Sequence, residues 1–277
     1  LYDDKLFVAL STAHLVALDA RTGEAVWDVL MPDGRGSSSG PLVARGKLIQ
    51  GMGGCQAYVE QKCFISAYDA ATGRQLWRFA TIAKEGDPVG GDTWGGLTNL
   101  FRAGGETWIT GSYDPDLNLT YWGTAQAKPW MPISRGMRTG DHALFTSSTV
   151  ALDADTGTLK WHYQFTPHDR YDYDAVQVPI LADITMRGAP VKAMLWANRN
   201  GNFYVLDRAT GKFLLGKPFV RVNWMSGFDA SGRPIQTPQP AGLPTYPAIQ
   251  GGTNWYSPSF STRTQLMYVS AWEEQGQ

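Results

Sequence analysis

Short apolar runs broken by polar, glycine-bearing turns set the pattern of this chain and predict strands rather than long helices. Val8-Ala9-Leu10, Lys47-Leu48-Ile49, Phe203-Tyr204-Val205 and Met267-Tyr268-Val269 are examples of such runs. They belong to a repeat. Ala17-Leu18-Asp19-Ala20-Arg21-Thr22-Gly23-Glu24-Ala25-Val26-Trp27 returns as Ala67-Tyr68-Asp69-Ala70-Ala71-Thr72-Gly73-Arg74-Gln75-Leu76-Trp77, then as Ala151-Leu152-Asp153-Ala154-Asp155-Thr156-Gly157-Thr158-Leu159-Lys160-Trp161. Val205-Leu206-Asp207-Arg208-Ala209-Thr210-Gly211 is a fourth copy without the tryptophan, and Ser112-Tyr113-Asp114-Pro115 reads as a degenerate fifth in the long gap between the second and third. Each copy encodes a strand, a turn and a strand. The Asp side chain holds the turn by accepting from backbone amides, Gly supplies the positive φ that closes it, and the next strand delivers a large Trp to the neighbouring unit.

Units of about 40 to 55 residues, each with several short strands, are the signature of propeller blades. The expected fold is therefore all-β, a β-propeller of four-stranded blades with about five blades present. Trp27, Trp77 and Trp161 are expected to be core packing between blades. An open array of this kind leaves two sheet faces bare. The sequence starts inside one apolar run, residues 5–10, and stops just after another, residues 266–271. It reads as a single partial propeller domain over residues 1–277, truncated at both ends.

Composition narrows the function. Charged residues make up 18% and aromatics 12%, with 11 Trp and 31 Gly, as suits an all-β protein rich in tight turns. The net charge of −1, with no cluster of Lys and Arg, argues against a nucleic-acid partner. No apolar run approaches the roughly 20 residues that span a bilayer. Cys55 and Cys63, the only cysteines, form one disulfide in an oxidising compartment or stand as two buried thiols, and the residues alone leave both open.

Five stretches carry candidate chemistry. The first is Thr166-Pro167-His168-Asp169-Arg170-Tyr171-Asp172-Tyr173-Asp174, an acidic loop after a blade strand. The second runs from Tyr113-Asp114-Pro115 to Tyr121-Trp122-Gly123-Thr124-Ala125-Gln126-Ala127-Lys128-Pro129-Trp130, and the third is Glu106-Thr107-Trp108-Ile109-Thr110. The fourth comprises Ser37-Ser38-Ser39-Gly40, Gly51-Met52-Gly53-Gly54-Cys55 and Glu60-Gln61-Lys62-Cys63-Phe64. The fifth is Asn198-Arg199-Asn200-Gly201, with Gly251-Gly252-Thr253-Asn254-Trp255 further on. On residue types alone these are solvated loops, satisfied strand ends and Gly-Gly turns as readily as parts of a site.

Together with the blades they resemble, along nearly the whole chain, the methanol and ethanol dehydrogenase family of enzymes that use pyrroloquinoline quinone (PQQ). That family is eight-bladed and periplasmic. The resemblance implies oxidation of an alcohol by hydride transfer to the quinone, helped by calcium or a lanthanide ion, with electrons leaving to an external cytochrome c or similar acceptor. The first stretch is similar to the family's Thr-Pro-x-Asp-x-Trp-Asp-Tyr loop, which makes Asp172 the catalytic base and a metal ligand. Asp174 stands where many lanthanide-using members carry an extra carboxylate, and hard ions gain from another anionic oxygen. The second stretch is similar to Thr-Gly-Asn-x-x-Pro-Trp, so Gln126 occupies the place of the metal-binding Asn, one methylene longer. Trp108 falls on the quinone-stacking Trp, with Thr107 as a possible rim group. The family's own threonine lies one residue earlier, where this chain has Glu106.

The fourth stretch makes Glu60 the remaining metal ligand and Ser38, Gly53 and Gly54 the quinone rim. A Cys55 to Cys63 bridge would staple that loop and hold Glu60 in place. Arg199 is expected at the quinone oxygens, where a fixed cation steadies developing negative charge, and Asn254 as a later quinone contact. The rival reading is a non-catalytic propeller scaffold that binds other proteins at the outer membrane. It shares the blades but has no reason to keep Glu60, Trp108, Gln126, Asp172 and Arg199 together. A second rival is a membrane-bound or haem-fused quinoprotein, which would add a transmembrane helix or a Cys-x-x-Cys-His site; neither lies in residues 1–277, and their absence from a partial chain leaves that reading open.

Overall fold

The computed structural model describes residues 1–31, 33, 35–138, 140–238 and 242–273. The first sheet has three antiparallel strands, β1 (Lys5–Ala9), β2 (His14–Asp19) and β3 (Ala25–Leu30). Three four-stranded meanders follow. They are β4 (Leu42–Ala44) to β7 (Gln75–Ala80) through β5 (Lys47–Gln50) and β6 (Phe64–Asp69), then β8 (Ser112–Asp114), β9 (Leu119–Gly123), β10 (Ser148–Asp153) and β11 (Leu159–Gln164). The third is β12 (Ile180–Met186), β13 (Ala189–Ala197), β14 (Asn202–Asp207) and β15 (Phe213–Pro218). A hairpin of β16 (Met225–Phe228) and β17 (Pro234–Gln236) precedes a last hairpin, β18 (Ser259–Ser261) with β19 (Leu266–Tyr268). Among the described residues no helix is long and apolar enough to cross a membrane.

First strands stand side by side: β4 lies against β8, β8 against β12 and β12 against β18. This is the arrangement of successive propeller blades, and it makes β18–β19 the opening half of the next one. Among the described residues five units are thus present, but the degenerate copy at Ser112-Tyr113-Asp114-Pro115 does not head one of its own. Asp114 does cap a turn, accepting from the amides of Asp116 (2.9 Å) and Leu117 (3.1 Å). That turn joins β8 to β9 inside the blade that already carries Asp153. The same Asx chemistry served a different turn of the blade, which is why the copy misled.

The repeat works as a lock between blades. Asp19, Asp69, Asp153 and Asp207 each accept from the amides two and three residues on. Each following strand then delivers its Trp onto the glycine of the next copy. The ring of Trp77 lies against Gly157, and that of Trp161 against Gly211, at positions where a Cβ would sit 2.5 Å from the ring. The indole N–H donates across the same seam: Trp27 to Ala70 O (3.2 Å), Trp77 to Ala154 O (3.1 Å) and Trp161 to Arg208 O (3.2 Å). Glycine is needed there twice over, for positive φ and to leave room for an indole. The apolar core accordingly lies between blades: Leu15 with Tyr68, Ile65 with Val150, Tyr121 with Trp196. Stacking fixed in this way holds the loops at one end of the blades in register, and the candidate site is built from those loops.

Candidate functional site

Two irregular segments pair first. Gly105 N donates to Gln126 O (3.0 Å), Ala125 N to Glu106 O (2.8 Å) and Lys128 N to Ala103 O (2.9 Å), so residues 103–106 run against residues 125–128. Gly104 must be glycine here, because at φ +98 a Cβ would meet Gln126 O at 2.2 Å. A third segment is tied on when Thr107 N donates to Met52 O (2.9 Å) and Thr107 Oγ1 accepts from Met52 N (3.1 Å). Gly53 and Gly54 follow at once. Cys55 bonds to Cys63 with its Cα 5.6 Å away, and its amide donates to Glu106 Oε1 at 3.2 Å. The disulfide of the two alternatives is the one formed.

The acidic loop forms the facing wall. Buried Asp169 organises it by accepting from the amides of Tyr171 and Tyr173, both at 2.8 Å, and from Ser147 Oγ at 3.2 Å. Asp172 is left in the left-handed region, φ 63, which Asp tolerates better than most residues. Arg199, from the turn after β13, clamps both later carboxylates: Nη1 to Asp174 Oδ2 (3.0 Å) and Nη2 to Asp172 Oδ2 (3.2 Å). It is itself held by Ile249 O, which accepts from Nε at 3.0 Å and Nη2 at 2.6 Å. The other oxygen of Asp174 accepts from Gln126 N at 2.8 Å.

Between the walls is a cleft of about 320 Å³. Trp108, Gly53, Gly54 and Ala125 line it together with Glu106, Gln126, Lys128, Asp172 and Asp174, which supply the charge and side-chain hydrogen-bonding groups. A second pocket of about 600 Å³ shares Gly54, Gln126 and Lys128 and extends to Tyr58 and Trp130. Burial raises the carboxylates: Asp172 is pushed up to about 7 by desolvation and by Asp174, against the pull of Arg199. Asp169 is pushed up to about 6 by desolvation, against its two backbone donors. Asp174 and Glu106 are raised by desolvation too, opposed mainly by Arg199 and by Lys128 respectively. A cleft with an indole face and acids poised near neutrality suits proton transfer beside a flat ligand.

Of the expected site residues, Trp108, Gly53, Gly54, Gln126, Asp172 and Asp174 come together, with Arg199 at their edge. Four do not. Glu60 is exposed in the disulfide loop, where its charge is felt by Lys62, and lines no part of the cleft. The staple holds Cys55 against Glu106 and leaves Glu60 in solvent. Thr107 is fully buried, its hydroxyl accepting from Met52 N, and it does not line the cleft. Ser38 supports the site from behind, donating to Trp108 O at 2.9 Å. Asn254 turns into its own loop, donating to Gln250 O at 3.1 Å, while the neighbouring Gly252 packs on Arg199 O. Sequence reasoning passed over Asp169, Glu106 and Lys128. For the last two a signal existed: Glu106 stands where the family has threonine, and Lys128 fills a free position of the Asn-x-x-Pro-Trp motif.

The profile described as PQQ, glucose/ethanol/alcohol dehydrogenase, β-propeller domain matches residues 30–223. The quinohemoprotein alcohol dehydrogenase ADH IIB of Pseudomonas putida is 39% identical over 295 residues, covering 100% of this chain and 42% of that protein. The 1-butanol dehydrogenase (cytochrome c) of Thauera butanivorans is 36% identical, covering 98% and 41%. Among solved structures, the quinohemoprotein alcohol dehydrogenase from Comamonas testosteroni superposes with a TM-score of 0.89 at 38% identity, over 99% of this chain and 43% of that one. A europium-containing methanol dehydrogenase gives 0.87 at 30% identity, over 98% and 51%. The chain thus spans less than half the length of the curated relatives it matches. With the family model covering residues 30–223 and a relative 39% identical along the whole chain, this chain belongs to the β-propeller family of PQQ-dependent glucose, ethanol and alcohol dehydrogenases.

Proposed function

We propose that the protein oxidises an alcohol with PQQ held in the cleft over Trp108. The observation that carries this reading is the meeting of Asp172, Arg199 and Trp108, which come from three separate stretches, around one cleft. When bound, PQQ supplies the acceptor for the hydride equivalent of the alcohol. Everything else falls to the chain. Trp108 offers a flat apolar face and Gly53 and Gly54 leave room beside it. Asp172, pushed up to about 7, takes the hydroxyl proton and can release it again near neutral pH. Arg199 holds Asp172 in place and keeps a permanent positive charge at the cleft edge. Asp169 is a positioning residue that fixes the loop through two amides. The disulfide supports an oxidising compartment such as the periplasm, and the reading implies an external electron acceptor of the cytochrome kind.

The calcium or lanthanide ion expected from the resemblance does not fit the residues in the cleft. Glu60 is outside it, and although Glu106, Asp172 and Asp174 all line the cleft, among the described residues no three His, Cys, Asp or Glu side chains are grouped so as to hold one ion. Both oxygens of Asp174 and one of Asp172 already face N–H donors. The cleft also contains its own ammonium, Lys128.

The test is to reconstitute the full-length protein with PQQ and follow alcohol-dependent dye reduction. Asp172→Asn should lower kcat by about 10²–10⁴-fold, the usual worth of a general base, while PQQ binding, read by quenching of tryptophan fluorescence, survives. Turnover unchanged in Asp172→Asn sinks the assigned base, and absence of PQQ binding sinks the function.

A further inference from the structure

Resting on the quinone reading above, we infer that Lys128 is the resident cation of this cleft: its ammonium, ion-paired with Glu106, stands in for a bound metal ion, so the protein holds PQQ without calcium or a lanthanide. Glu106 and Lys128 bond to each other across the paired segments 103–106 and 125–128. The Glu106 side chain is 4% exposed and the Lys128 side chain 41%. The carboxylate therefore supports the ammonium from beneath, while the ammonium stays open to whatever enters. Neither residue makes sense alone. A buried Glu106 without Lys128 would be an uncompensated charge, a strongly destabilising state. Glu106 also departs from the family pattern, standing where the family has threonine before Trp108, while Lys128 occupies a free position two residues after Gln126.

Two further atoms fit an ammonium. Glu106 Oε2 and Gln126 Oε1 are buried acceptors with no hydrogen-bond partner, and both side chains line the cleft with Lys128. An ammonium has three donors and no acceptor, so it can serve such oxygens and the carboxylates of an arriving quinone from one position. A metal ion at Gln126 would have to share Glu106 with Lys128 and sit among two fixed cations, Lys128 and Arg199. Lys128 and Arg199 already engage all three carboxylates of the cleft, so an added ion gains an anionic ligand only by displacing one of these resident cations.

The experiment is a PQQ titration of the full-length protein after chelation and dialysis, read by tryptophan quenching, in chelator, in calcium and in lanthanum, with metal content measured in parallel. The expected result is the same affinity in all three arms and only substoichiometric metal. Lys128→Ala should bind PQQ about tenfold or more weakly in chelator, the loss of one charge-assisted contact, and recover when calcium or lanthanum is added. Lys128→Arg, which keeps the charge, should stay near the parent in chelator. Circular dichroism and the melting temperature report whether each variant is folded, and should Lys128→Ala fail to fold, Glu106→Gln paired with Lys128→Met removes the ammonium without leaving a buried unpaired carboxylate and should show the same loss of PQQ affinity in chelator. A parent that binds PQQ only with added calcium or lanthanum overturns the inference and leaves the quinone function standing. A parent that binds PQQ in no arm overturns both.

Discussion

Alanine at Gly157 would test the lock between blades at a single atom. Gly157 has φ +72, where an L-residue costs about 1–2 kcal/mol. Its new Cβ would lie 2.5 Å from Cε3 and 2.6 Å from Cδ2 of Trp77, well inside van der Waals contact. Trp77 cannot swing aside freely, since it is buried and its Nε1 is held to Ala154 O at 3.1 Å. Forcing a packed side chain out of place costs about 1–3 kcal/mol. Together the two effects destabilise by about 2–5 kcal/mol. Gly188 is the control: it has φ +82 in the β12–β13 turn and nothing within 4 Å of its Cβ position. Gly188→Ala therefore carries the backbone cost alone, about 1–2 kcal/mol. The assay is urea unfolding of the full-length protein, comparing midpoints at a common slope. Gly157→Ala should exceed Gly188→Ala by about 1–3 kcal/mol, and the excess should vanish in a Trp77→Leu background. Equal losses for the two glycines would refute the packing role and leave only the turn.

Other outcomes follow from the geometry. Because Asp172 must be ionised to accept a proton and is pushed up to about 7, kcat/KM should fall as pH drops below about 7. Asp174→Asn removes a neighbouring carboxylate that helps to raise Asp172, so the acid limb should move to lower pH, and a limb that stays put or moves up refutes the pairing. Asp114→Ala breaks a buried pair with Arg208 (2.6 Å) and should cost about 3–5 kcal/mol. Asp183→Ala, removing the exposed partner of the same guanidinium, should cost at most about 1 kcal/mol in the same thermal or urea scan. Replacing Cys55 and Cys63 by serine should destabilise by about 2–4 kcal/mol and weaken PQQ binding, since Cys55 N holds Glu106 at 3.2 Å. Unchanged affinity in that variant would separate the staple from the cleft.

The sequence by itself determined the blades. Its Asp, Gly and Trp recur at fixed spacing because each copy must turn, admit a positive φ and fill a seam, and these are local demands that any one copy displays. The acidic loop and the turn that bears Arg199 were legible only through their resemblance to family motifs, since on residue types alone Asp172, Asp174 and Arg199 read as readily as solvated loop. Tertiary structure alone decided which side chains meet. Glu60 carries the right chemistry a few residues from the cleft, yet the disulfide turns its loop so that it faces solvent, and nothing in residues 55–63 announces that turn. Glu106 and Lys128 lie 22 residues apart and become partners only because two irregular segments pair. The indole of Trp77 finds Gly157 across 80 positions through the stacking of whole blades. Local hydrogen-bond chemistry can be read from neighbours in the chain, whereas the charge of a cleft is a sum over segments that only the fold brings together.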